Sequence, residues 1–201
     1  MRPVSRLVLA ALALSLIQRS AAAQTRNTWS VQGSGLVTGL GGSAYSGIDP
    51  GPGFEIQARR KLSPTSSLGC GFQGTYHSFT KFQGDVKLQG LFCEPRQILD
   101  VGSERIFPYV SARGSVLERN DSDNTGFNAS ATGFTANVGA GMMVPFGSAA
   151  AAHPTLLEFG ASAGYTWFGT LTATLSNGVT QTHATGGGWN FVLRAGLAVG
   201  L

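Results

Sequence analysis

Apolar residues alternate with polar or very small ones in steps of two along most of this chain, the period of a β-strand rather than of a helix. The pattern is longest at the end, where Trp189, Phe191, Leu193, Ala195, Leu197, Val199 and Leu201 form one row around Asn190, Arg194, Gly196, Ala198 and Gly200. Seven earlier stretches repeat it: Trp29 to Gly39, Phe54 to Leu62, Leu68 to Phe79, Val86 to Cys93, Ile106 to Arg119, Phe134 to Phe146 and Leu157 to Trp167. Turn-forming residues separate them, such as Gly51-Pro52-Gly53 and Ser63-Pro64-Thr65. Pro95 is expected to end regular pairing or to mark a bulge, because it cannot donate to a ladder. The pattern thus predicts eight strands of roughly ten residues, long enough to cross an outer membrane when tilted.

A soluble eight-stranded barrel with an apolar interior shows the same alternation. Its polar row meets water and is rich in Lys and Glu, whereas here that row is dominated by Gly, Ser, Thr, Asn and Gln. A wall with lipid outside and a tightly packed interior accounts better for such a row. Residues 1–23 read as a signal peptide: Arg2 and Arg6 precede the apolar run Leu7 to Ile17, and Ala21-Ala22-Ala23 precede a cut ahead of Gln24. Three of the 14 basic residues, Arg2, Arg6 and Arg19, leave with it. The remaining 11 face 10 acids, a net charge of +1 in place of +4. With no basic patch interleaved with aromatics, nucleic acid is not an expected partner.

Arg194-x-Gly196-x-x-Val199-x-Leu201 resembles the C-terminal signal by which bacterial outer-membrane β-barrels are recognised for assembly, with Leu201 where that signal usually carries an aromatic. Residues 24–201 as a whole resemble the small eight-stranded outer-membrane β-barrel family, the OmpA-transmembrane, OmpX and OmpW-like group. The resemblance implies an all-β, eight-stranded antiparallel up-and-down transmembrane β-barrel preceded by a cleaved signal peptide. It implies residence in the outer membrane of a Gram-negative-type bacterium with both termini periplasmic. It also implies contact with outer-membrane lipids and lipopolysaccharide, recognition of the last strand by the barrel assembly machinery, and a monomer. Three long connections, Leu40 to Gly53, Asn120 to Ala131 and Leu171 to Gly188, then face outside. Trp29 and Phe146 fall at the inner girdle, and Tyr76, Tyr165, Trp167 and Trp189 at the outer.

Row parity places Glu55, Glu158, Arg59, Lys61, Lys87, Arg113, Arg194, Gln57, Gln73, Gln89 and Asn137 in the lumen. A buried carboxylate needs a cation, so at least one of the two glutamates is expected to contact Arg59, Arg113 or Arg194. Strand eight must pair with strand one, since an open edge in lipid leaves backbone groups unsatisfied. Asn177-Gly178 predicts a two-residue hairpin turn pairing Ser176 with Val179, which requires a bulge within Gly186 to Gly188. Cys70 and Cys93 lie near the periplasmic ends of adjacent strands, which favours a bridge, yet matching the apolar rows puts Cys70 outward and Cys93 inward. A bulge beside Pro95 would reconcile them, and the pattern alone leaves the bridge open.

Chemistry is thin. His77 and Ser78 are neighbours on a strand and point to opposite faces, so they do not form a nucleophile and base. His153 and His183 fall in connections without acidic or nucleophilic neighbours. Asp121-Ser122-Asp123-Asn124-Thr125-Gly126 resembles the first half of a calcium loop, but Thr132 stands where that loop needs a bidentate Glu. No catalytic, cofactor-binding or metal-binding residues are therefore assigned, and no enzyme is expected. The expected function is a structural or envelope role, or surface binding through the outer loops. The alternatives are a narrow channel for small or apolar solutes and a lipid A-modifying enzyme.

Overall fold

A computed structural model describes residues 28–81, 83–103, 105–123, 126–146, 155–175, 177–184 and 186–201. The expected signal-peptide segment, the alanine-rich connection with His153, and Ser176 of the expected turn lie outside the described residues. Among the described residues ten strands follow in order: β1 (Trp29–Gly41), β2 (Gly51–Lys61), β3 (Ser66–Ser78), β4 (Gly84–Ile98), β5 (Phe107–Asp123), β6 (Asn128–Phe146), β7 (Thr155–Phe168), β8 (Thr170–Thr174), β9 (Thr180–Ala184) and β10 (Gly187–Gly200). The short β8 and β9 prolong β7 and β10 as a hairpin, so the wall itself has eight strands. Antiparallel ladders join β1 through β7 in sequence, then β7 to β10 and β10 to β1. The expected closing seam is present, running from Ser30 opposite Gly200 to Gly41 opposite Trp189.

The ladders fix the shape. Followed from partner to partner, Val31 leads through Ala58, Cys70, Cys93, Gly114, Ala136, Tyr165 and Trp189 back to β1 at Gly41, ten residues above the start. A stagger of that size around eight strands tilts them by roughly 40° and leaves an interior just wide enough for side chains. The outer wall is apolar around its circumference, with Val138, Leu91 and Trp189 each at least 65% exposed. An exposed apolar area of this size is the outward face expected of a barrel surrounded by hydrocarbon.

Several expectations need correction. Pro95 does not end β4: the ladder to β3 runs unbroken through Leu68 opposite Pro95, and only the ladder to β5 skips Glu94 and Pro95. The strand therefore continues to Ile98, without a bulge. Its faces are also reversed from expectation. Val86, Leu88 and Phe92 are buried, while Lys87, Gln89, Leu91 and Cys93 are on the outside. The physical reason is that the lumen is not polar throughout: its upper end is apolar, and Val86 and Leu88 supply part of it.

The last hairpin does rise above the wall as expected, but its turn has three residues rather than two. Gly178 donates to the Leu175 carbonyl (2.9 Å) and Leu175 to the Val179 carbonyl (2.9 Å), with Gly178 at φ 80°. This matches a three-residue loop whose last residue takes a left-handed conformation that glycine adopts freely. The extra residue puts β8–β9 and β7–β10 in one register, so no bulge separates them at Gly186 to Gly188. An offset falls instead between β6 and its neighbours: Gly133 faces Phe168, but Ser130 faces Thr172. The connection expected from Asn120 to Ala131 is likewise mostly ladder, paired as far as Ser122 opposite Asn128.

Candidate functional site

The lower half of the lumen, nearest the chain ends, holds a cluster of buried charges. Inward positions of β2, β4, β5, β7 and β10 contribute Glu55 and Arg59, Glu94 and Arg96, Arg113, Glu158, and Arg194. Glu94 is the hub. Its carboxylate meets Arg59 at 2.9 Å and Arg96, Arg113 and Arg194 each at 2.7 Å. Glu158 receives a two-pronged contact from Arg96 (2.8 and 2.9 Å), the Tyr109 hydroxyl (2.7 Å) and Arg194 Nε (3.1 Å). Glu55 meets Arg113 at 2.7 Å. Both glutamates thus find the arginines expected of them.

Four guanidiniums around three carboxylates leave one net positive charge in the cluster. That is tolerable because planar guanidiniums also stack on rings: Arg96 lies 3.9 Å from the Tyr109 ring centre and Arg113 3.9 Å from that of Phe92. Of the predicted lumen residues, Glu55, Glu158, Arg59, Arg113, Arg194, Gln57 and Asn137 are inside and buried. Gln73 also reaches the lumen, accepting from Arg113 at 3.0 Å. Lys61 is half-buried at the lower end of β2. Lys87 and Gln89 are not inside. A fourth strand that stops at Cys93 leaves out Glu94 and Arg96; continuing its alternation through Pro95 puts Phe92, Glu94 and Arg96 on one row.

The upper mouth is closed differently. The β1–β2 connection turns inward through a 3-10 turn, Ser43–Tyr45, and Ala44, Tyr45 and Ile48 pack against Val86, Leu88, Ala131 and Phe168. Tyr45 meets Phe168 edge to face, with ring centres 5.6 Å apart. Gly188 is required beneath it, since a Cβ there would overlap the Tyr45 ring. Polar contacts pin the loop at both ends. Arg119, paired with Asp121 at 2.6 Å, donates to the Ala44 carbonyl, and the His77 ring contacts the Asp49 carbonyl at 3.0 Å. Asp121 is therefore committed to Arg119, and Asp123 accepts from the Phe127 amide. Asn124 and Thr125 lie outside the described residues. His77 is buried and Ser78 exposed, on opposite faces as expected.

Between the two plugs lies a cavity of about 30 Å³ bordered by Thr38, Ser115, Thr135, Asn137, Thr166 and Asn190. Thr38 Oγ1, Ser115 Oγ and Asn137 Oδ1 are buried there without a protein partner among the described residues. A space of that size holds about two waters, which would satisfy them. On the outer wall, Cys70 and Cys93 face each other across β3 and β4 and are joined by a disulfide. The reversed face of β4 puts both sulfurs outside, so no bulge is needed.

No family model matches the chain, and no curated protein matches it in sequence. Solved structures do. Neisserial surface protein A (NspA) aligns over 87% of this chain and 97% of its own, at 16% identity and a TM-score of 0.58. A major outer membrane protein from Thermus thermophilus aligns over 85% of this chain and 98% of its own, at 12% identity and a TM-score of 0.51. With its closed ring and inverted polarity, the chain has the fold of the small outer-membrane β-barrels.

Proposed function

We propose that this protein is an outer-membrane barrel with a structural or surface-binding role exerted through its outer rim, and not a channel or an enzyme. The observation that carries the reading is the filling of the lumen at two levels by unrelated contacts: the charge cluster around Glu94 below and the Tyr45 loop above. What the barrel leaves open is its rim. There β5, β6, β8 and β9 rise as a sheet, and β9 has β8 as its one partner among the described residues. An unpaired strand edge is a ready surface for contact. In this reading residues 1–23 are removed, both chain ends lie in the periplasm, the assembly machinery reads β10, and the wall contacts lipid and lipopolysaccharide as a monomer. Planar-bilayer recording on the purified full-length barrel tests it. No steady conductance is expected from a lumen filled in this way, and a stable open level would favour the channel instead.

A further inference from the structure

The Cys70–Cys93 disulfide sits in an unusual place: on the outer wall, within the apolar belt. Along β3 it is flanked by Leu68 and Phe72, and along β4 by Leu91 and Pro95. To the sides its ladder partners are Ala58 on β2 and Gly114 on β5, too small to cover the sulfurs. Tyr76, in the upper aromatic rim, is six residues above Cys70 on the same strand. At about 3.3 Å per residue and a tilt of roughly 40°, the bridge lies on the order of 15 Å below that rim, near the middle of an apolar band about 25 Å tall.

Thiol–disulfide exchange requires attack by a thiolate. A thiolate at that depth would have to exist in hydrocarbon, which strongly disfavours the charged form. Water-borne oxidants and reductants are therefore cut off from these sulfurs once the barrel is in lipid. We infer that Cys70 and Cys93 are a modification site used before membrane insertion, the chain being oxidised in the periplasm by a disulfide-carrying protein. One cysteine thiolate attacks the oxidant's disulfide, breaking it and forming a mixed disulfide. The second cysteine thiolate then attacks the chain's sulfur in that mixed disulfide and expels the oxidant as a dithiol. The chain loses two electrons, the oxidant gains them, and the two cysteine protons end on the released dithiol by way of water.

The order matters because β4 is the strand whose hydrophobic pattern points the wrong way. Its apolar row Val86, Leu88 and Phe92 faces the lumen, and Lys87 and Gln89 face out. A slip of one residue turns every side chain over, which would expose that apolar row and drive Glu94 and Arg96 into lipid. In the finished barrel the charge cluster forbids this, but the cluster draws on five strands and exists only after closure. The bridge spans one hairpin, 23 residues apart in sequence, and sets the register of β4 earlier.

This inference rests on the membrane reading, and fractionation separates the two. The full chain is produced in a Gram-negative host, pulse-labelled, and its thiols are trapped with a maleimide. The bridge is expected to be complete before the heat-resistant barrel appears. A water-soluble phosphine is expected to reduce the membrane-inserted protein at least about a hundredfold more slowly than the same protein unfolded in urea. Free thiols persisting into the folded form, or equal reduction rates, would overturn the inference. Absence from the outer-membrane fraction would overturn the membrane reading and the inference with it. The register role is tested by moving the bridge one position, Phe92→Cys with Cys93→Ser. Assembly is expected to fall several-fold in an oxidising periplasm and to return to the level of the Cys70→Ser/Cys93→Ser variant when reductant is present during synthesis. Equal yields with and without reductant would refute that role.

Discussion

The lower lumen is filled by charge and the upper lumen by hydrocarbon, and the two plugs draw on different parts of the chain. Below, seven acidic and basic side chains reach inward from five strands of the rigid wall, and Glu94 ties four arginines together. Above, a single connection folds into the mouth, and its Tyr45, Ala44 and Ile48 fill the space between Val86, Leu88 and Phe168. The contrast separates two kinds of closure. Removing one partner of a buried charge network strands the others, because each charge has exchanged its hydration for a counter-charge nearby. Removing one apolar group from a loop loses contacts locally, and the strands behind it keep their ladders.

The largest effect is expected from Glu94→Gln. Two carboxylates would then face four guanidiniums, and the loss should be about 3–5 kcal/mol, read as a lower unfolding temperature of the detergent-solubilised barrel. Adding Arg113→Gln should recover part of it, since the two side chains touch at 2.7 Å and their effects should not add. A full loss that the second change deepens would mean that Glu94 acts by packing and not as the counter-charge.

Tyr45→Ala should cost about 2–3 kcal/mol of loop docking, with little change in the unfolding temperature of the wall. Limited proteolysis is the sensitive measurement: cleavage within residues 42–50 is expected to rise while the barrel stays intact. If the whole barrel melts instead, the two plugs are one cooperative unit and the contrast fails.

Lys87→Leu should have the smallest effect, within about 1 kcal/mol, because the side chain lies on the outside near the upper rim where charge is tolerated. A large stabilisation or destabilisation by the same melting assay would mean that position 87 faces the lumen after all.

The alternation of side chains determined a great deal by itself. It located eight wall strands, the seam between Trp29 and Leu201, and the pairing of Glu55 and Glu158 with arginines. These follow from strand geometry and from the need of a barrel in lipid to satisfy its own backbone and bury its charges in pairs. Alternation shows which residues share a face, but not which face is inside. For β4 that was decided across the barrel, where Glu94 and Arg96 meet charges from β2, β5, β7 and β10, and where Val86 and Leu88 meet a loop from between β1 and β2. Glu94 as the hub, the loop in the mouth and the disulfide on the outer wall all depend on contacts between residues far apart in the chain. Only the closed tertiary structure brings those groups within reach of one another.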